Sequence, residues 1–266
     1  MRPILCSLAA LALAASTAVA SPVRAADSVV LAAHHAVYKL TLDSSTGDVV
    51  AGGGSMDYEV TDACDGWATR QRLEMNVTNT SGQDISMVTD YATWESKDGL
   101  SMRFHMTQST DTAVTEQVEG TARLESPGAA GSIHYTSPAD KTVSLPAGTL
   151  FPTAHTEALL GAAEAGKKFV TLPIFDGTGD KGAQDSSVVI ANWNGPSAAF
   201  DPALAALPSG RVRIAFFDRD GNSQKPDYEV AMRYFADGVA DDLLMQFGEF
   251  AMKGTMTSFK ANPSHC

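Results

Sequence analysis

Apolar and polar residues alternate with period two over most of this chain. Tyr38, Leu40 and Leu42 fall on one face of such a run, and Met56, Tyr58 and Val60 on another, opposite Asp57 and Glu59. Leu73, Met75 and Val77 alternate with Arg72, Glu74 and Asn76. The same rhythm covers Leu100–Thr107, Arg211–Phe216, Tyr228–Tyr234 and Phe250–Thr257. Successive side chains of a strand point to opposite faces, so each run presents one greasy and one wet face, as a half-buried antiparallel sheet requires. Turn residues separate the runs: Ser45-Thr46-Gly47-Asp48, Asp65-Gly66, Ser81-Gly82, Asp98-Gly99 and Asp220-Gly221-Asn222. Asp, Asn and Gly tolerate positive φ and suit hairpins. The spacing predicts an all-β, antiparallel chain of about 12 to 14 strands joined as hairpins and meanders.

One segment breaks the rhythm. Leu145-Pro146-Ala147-Gly148-Thr149-Leu150-Phe151-Pro152-Thr153 leads into an alanine-rich stretch ending near Gly166. The pattern predicts a central helix over 154–165, with Thr153 as N-cap, Glu157 in the first turn and Gly166 closing the C-terminus. The stretch Pro196 to Pro208 reads as a loop with a helical turn around 201–207. Gly52-Gly53-Gly54 reads as a flexible approach to a hairpin.

The N-terminus changes the compartment. Met1-Arg2-Pro3 is a short basic region, Ile4 to Ala15 is apolar, and Ala18-Val19-Ala20 is a small-x-small cleavage site, with a second ending near Ala26. This is the pattern of a cleavable signal peptide over 1–26, leaving 27–266 as a single β domain, exported to an oxidising compartment. The apolar run is too short to span a membrane, and no later stretch is long enough. Cys6 leaves with the leader, so Cys64 and Cys266 are the two remaining cysteines and are expected to pair; two free or intermolecular thiols are the alternative. Without Arg2 and Arg24 the chain has 17 basic residues against 31 acidic ones, a net charge of −14. So acidic a surface argues against nucleic acid and against charge-driven docking on anionic lipid.

Known catalytic patterns are missing from the sequence: there is no G-x-S-x-G, no S-x-x-K, no H-E-x-x-H and no phosphate-binding glycine loop. His34 and His35 are neighbours, so in a strand they face opposite ways. Two acidic loops, Asp176-Gly177-Thr178-Gly179-Asp180 and Asp218-Arg219-Asp220-Gly221-Asn222, place oxygens at alternate positions. Both depart from the calcium-loop pattern, and solvated hairpin tips are the plainer reading. Nine methionines from Met56 to Met256 fall mostly on apolar strand faces. Flexible thioethers fill irregular cores, and they also suit adaptable lipid or peptide grooves.

Several segments together resemble the EipB-type cell-envelope-integrity family of bacterial periplasmic proteins. They are His34-x-Ala36-x-Tyr38-x-Leu40, then Cys64-Asp65-Gly66-Trp67, then the central Pro146, Gly148, Thr149, Phe151, Pro152 and His155, then Phe175-Asp176-Gly177. Asp241-Asp242-Leu243, Lys253-Gly254 and the terminal Cys266 complete the series. The resemblance implies a long antiparallel β-spiral, a partly open barrel with a helix across the opening, and a disulfide between Cys64 and Cys266. It implies a bacterial periplasmic protein that supports envelope integrity under stress, and the leading expectation here is a non-enzymatic one. It brings no catalytic residue, no metal and no cofactor. The expected partner is a lipid, lipoprotein or peptide in a concave β face, or a periplasmic protein. The alternatives are a hydrolase of envelope material using dispersed residues such as His155 and Asp176, and a pure protein–protein scaffold working through open sheet edges.

Overall fold

A computed structural model describes residues 29–219, 225–264 and 266. The leader reading over 1–26 and the loop residues Asp220, Gly221 and Asn222 lie outside the described residues. Among the described residues, fourteen strands and two helices follow one another. The first eight strands are β1 (His34–Ser45), β2 (Val49–Asp62), β3 (Gly66–Asn79), β4 (Asp84–Ser96), β5 (Ser101–Thr110), β6 (Ala113–Leu124), β7 (Gly131–Ser137) and β8 (Lys141–Leu145). Helix α1 (Pro152–Glu164) precedes β9 (Phe169–Ile174) and β10 (Gln184–Asn194). The short α2 (Pro202–Ala205) leads to β11 (Ser209–Asp218), β12 (Tyr228–Phe235), β13 (Ala240–Gln246) and β14 (Phe250–Ala261).

All fourteen strands belong to one antiparallel sheet. Each strand pairs with its neighbour in the chain, and β1 also pairs with β14. The order therefore runs as a ring with a single break, between β8 and β9, and α1 is the connection across that break. A parallel bridge from Leu150 to Ile174 ties the segment before the helix to β9. The all-β antiparallel architecture expected from the period-two pattern and the open barrel implied by the family resemblance are the ones observed, and the strand count falls at the top of the expected range.

Three local expectations need correction. The Gly52–Gly54 run is not a hairpin approach but the interior of β2. A Cβ on Gly54 would lie 1.9 Å from the Glu74 carbonyl oxygen, so the glycine is there to let β2 and β3 approach. At the β2–β3 turn the positive φ belongs to Cys64 (68°), while Gly66 already starts β3. Helix α1 begins at Pro152, not 154. Phe151 is its N-cap without any side-chain cap, and Glu157 lies past the first turn. The missing cap comes from another strand. Glu95 of β4 accepts hydrogen bonds from the Thr153 amide (2.9 Å) and the Thr153 hydroxyl (2.9 Å). A carboxylate at a helix N-terminus satisfies orphan amides and complements the helix dipole. At the other end Gly166 takes φ +74°, with Gly166 N bonded to Ala163 O and Lys167 N to Ala162 O. That Schellman arrangement is what a glycine past the last turn permits.

Buried apolar residues form two clusters. The larger draws on β1–β3, β10–β14 and the inner face of α1, including Tyr38, Leu40, Leu159, Leu160 and Phe235. The smaller lies under β5–β8 and gathers Phe104, Tyr135, Phe151 and Phe175. Its rings meet edge to face, with centroids 5.2 to 6.5 Å apart.

Candidate ligand cavity

Beside the larger cluster, the curled sheet and α1 enclose a hollow. Its main compartment measures about 750 Å³ and a second about 410 Å³. Both are lined by His34, Tyr58, Tyr228, Met232, Tyr234 and Phe247, so they are two parts of one space. The floor comes from β1–β5, the opposite wall from β11–β13, and the lid from Pro152, Thr153, His155 and Thr156 of α1. Period two explains the lining. Tyr58 and Val60, or Tyr228, Val230, Met232 and Tyr234, are the inward positions of their strands. In a closed barrel such residues would meet across the core. Here they face a void beneath α1.

Many polar side chains reach this space, and several are bonded within the protein. Tyr91 donates to the Asp176 carbonyl at 2.5 Å, and Asp176 Oδ1 accepts from the Thr178 amide (3.0 Å) and hydroxyl (2.8 Å). Burial raises the Asp176 carboxyl above its usual range and holds the Tyr58, Tyr91, Tyr228 and Tyr234 hydroxyls protonated. Burial also pushes the Glu95 carboxyl up to about 7, against the opposing pull of its bonds to Thr153. Ser186 Oγ donates to the Leu172 carbonyl at 2.9 Å, so at 2.7 Å it accepts from His155 Nε2. Burial lowers the His155 ring to about 4. His34 and Thr93 are the exceptions. His34 is 2% exposed, its Nδ1 bonds the Ala32 carbonyl at 2.8 Å, and its Nε2 has no partner; the buried Thr93 hydroxyl has none either.

The residues singled out in sequence fall in three places. Pro152 and His155 reach the cavity. Phe151 and Thr149 are buried outside it, the first in the aromatic cluster and the second bonded to the Pro146 carbonyl at 2.7 Å. Gly148 supplies a turn at φ +81°. Cys64 and Cys266 form a disulfide (Cα atoms 5.4 Å apart) at the end of the β2–β3 hairpin, away from the cavity lining. His34 and His35 point opposite ways, His35 outward to Asp57 at 2.9 Å. The acidic loops are not both solvated tips. Asp176 lines the cavity, because Tyr91 draws its backbone inward. Asp218 is held by Lys181 (2.6 Å) and Gln184 (3.1 Å), and Glu229 by Arg213. No group of three or more His, Cys, Asp or Glu among the described residues could hold a metal ion. Sequence reasoning placed Tyr58, Tyr228 and Tyr234 on apolar faces but did not mark them as a lining. It missed Glu95 and Tyr91 altogether, because no pattern within β4 signals a helix cap or a cavity wall.

A family model described as EipB-like matches residues 25–263. The chain belongs to the EipB-like family. It is 31% identical over 242 residues to the cell envelope integrity protein EipB of Brucella abortus (strain 2308), covering 87% of this chain and 85% of that protein. It also superposes on the crystal structure of a β-barrel-like protein of a domain of unknown function from Brucella abortus. The TM-score is 0.80 at 28% identity, over 88% of this chain and 100% of that one. The membership expected from the Cys64 segment, the central helix start and the C-terminal motifs is therefore observed along nearly the whole chain.

Proposed function

We propose that this protein supports cell-envelope integrity without catalysing a reaction, by holding an apolar ligand, an acyl chain or apolar peptide segment, in the cavity beneath α1. The observation that carries this reading is the cavity: about 750 Å³ in its main part, within the range of small-molecule sites, and walled by inward strand positions such as Val60, Ile214, Phe216 and Met232. Removing so much apolar lining from water by filling the space with an acyl chain is favourable at roughly 25 cal/mol per Å². The relative named for envelope integrity supports the cellular role, and export by the leader over 1–26 fits it. No described helix is long and apolar enough to cross a membrane. The polar groups support a binder over a hydrolase: His155 donates to a serine whose proton is committed to a carbonyl, and Asp176 is bonded to Thr178.

One observation favours a scaffold as a second reading. Strands β8 and β9 each leave an edge unpaired with another strand, and Phe169 on β9 is 74% exposed. Native mass spectrometry of protein taken from its exporting host, with lipid extraction in parallel, separates the two. A lipid or peptide mass released on denaturation is the expected result. A clean apo mass that stays apo after incubation with acyl compounds overturns the ligand reading and leaves the sheet edges.

A further inference from the structure

The arginines of this chain sort into two kinds. Arg72, Arg211, Arg213, Arg219 and Arg233 are each ion-paired with a carboxylate. Arg70, Arg103 and Arg123 are exposed, and among the described residues none of them forms an ion pair. All three point outward from β3, β5 and β6, on the face opposite the cavity. The register gathers them. Arg103 lies between Trp94 and Thr121, and Arg123 is two positions along β6 from Thr121. Arg70 faces Ala92, which in turn faces His105, two positions along β5 from Arg103. The small side chains of Ala68 and Ala92 leave a depression of about 440 Å³, bordered by Arg70, Trp94, Arg103 and His105.

Arg103 is set in advance. Its guanidinium lies over the Trp94 ring, 4.5 Å from the centroid. Trp94 itself rests against Gly66, where a Cβ would come within 2.5 Å of the indole. A guanidinium stacked in this way keeps its N–H edge free and loses less freedom when it binds an anion. The acids nearby do not fill that edge. Glu119 lies 3.6 Å from His105 Nδ1, Asp140 lies 4.0 Å from His134 Nδ1, and Glu59 stands opposite Arg70 without forming an ion pair. In a chain whose net charge is −12, this face therefore leaves cations over.

The surroundings narrow the kind of anion. Ser101 and Ser132 flank Arg123, while Thr121 and Thr136 border the depression, so hydroxyls surround the guanidiniums. None of the large exposed apolar side chains, such as Val114 or Phe169, lies there, and Arg103 covers Trp94. A protein partner wants an apolar anchor at the centre of its interface. Hydroxyls around guanidinium forks suit a sugar that carries carboxylates, since a carboxylate takes two parallel N–H bonds from one fork. Its single charge also meets Glu59 and Glu119 at less cost than the double charge of a phosphate monoester.

We propose that the outer face of β3–β6 binds an acidic saccharide, a chain of sugar rings bearing carboxylates, with Arg103 as anchor and Arg70 and Arg123 as flanking contacts. The site is separate from the cavity and does not depend on what the cavity holds.

Calorimetric titration of the whole protein with a hexamer of galacturonic acid tests this, beside maltohexaose as a neutral sugar and hexaglutamate as an equally charged peptide. At low salt the uronate hexamer is expected to bind at least about tenfold tighter than either, the scale of three exposed charge pairs acting together. Its binding should weaken as salt rises past about 0.1 M, where exposed charges are screened beyond about 10 Å. Arg103→Gln should weaken it at least about threefold, and changing all three arginines to glutamine should erase the preference over maltohexaose. Arg72→Gln, on the same face but already paired with Glu74 and Asp90, should leave it nearly unchanged. Maltohexaose matching the uronate overturns the role of the arginines. Hexaglutamate matching it makes the partner an acidic peptide and overturns the saccharide assignment. Equal losses in Arg72→Gln and Arg103→Gln, or no uronate binding at low salt, overturn the site.

Discussion

The two halves of this sheet solve the same problem differently. Under β5–β8 the inward residues close on each other, and Phe104, Tyr135, Phe151 and Phe175 form a filled aromatic knot. Between β1–β5 and β11–β13 the inward residues stop short, and the space between them stays open. The filled half gains its stability from contact. The hollow half keeps the larger buried cluster beside its void, including Tyr38, Leu40 and Phe235, and its strands are further tied by the Cys64–Cys266 bond and by the Tyr38 hydroxyl, which donates to the Ala240 carbonyl at 2.6 Å. A void in this β domain therefore coexists with packed clusters in both halves and a covalent clamp on the hollow one.

The clamp gives the largest expected effect. The disulfide joins residues 202 apart in sequence, and a loop that long is worth up to about 5 kcal/mol in the chain-entropy account. Cys64→Ser and Cys266→Ser should lower the melting temperature by similar amounts, and the double variant by no more than either. Additive losses would mean that the two sulfurs act separately.

A matched pair of truncations measures the contrast directly. Phe175 is 1% exposed and ringed by three aromatics, so Phe175→Ala should cost about 3 to 5 kcal/mol in denaturant unfolding. Phe216 already faces the void and stacks only on Tyr228, with centroids 6.1 Å apart. Its loss enlarges a space that exists, and Phe216→Ala should cost about 1 kcal/mol. Equal costs would show that the void is filled or collapsed in solution.

How much of this could be read from the chain follows the same division. The period-two runs reveal nearly every strand, because alternation is a local property. The central helix is legible from Pro152, the alanines and Gly166, and its end is right to the residue that carries positive φ. Its start is misplaced because the cap is Glu95, some sixty residues upstream and on another strand. The cavity is illegible for a similar reason. Inward Tyr58 and Tyr228 look the same in sequence whether they meet a partner or a void, and only the curl of the whole sheet decides which. Resemblance to a family recovers what locality hides, the overall curl of the sheet, but it does not recover His34 as a buried ring with one nitrogen unpaired.

The lid over the hollow half offers the finest comparison, through two buried groups of opposite sign. His155 has a folded pKa of about 4 against an ordinary 6.5, so the unfolded chain takes up a proton first as pH falls through that window. Stability linked to His155 is therefore whole above pH 6.5 and lost on the way to 4. Glu95 has a folded pKa of about 7 against an ordinary 4.5, so the folded chain takes up its proton first. Stability linked to Glu95 is whole below 4.5 and lost as pH rises to 7. Between pH 7.5 and 5 each contribution is about 2 kcal/mol, in opposite directions, so they largely cancel in the wild type. Substitution should unmask them. Relative to wild type, His155→Gln should gain about 2 kcal/mol on acidification from pH 7.5 to 5, and Glu95→Gln should lose about as much. Denaturant unfolding at the two pH values reads both. Changes of the same sign in the two variants would mean that α1 is not held between a neutral histidine and a half-ionised glutamate, and that the lid is seated by its apolar face alone.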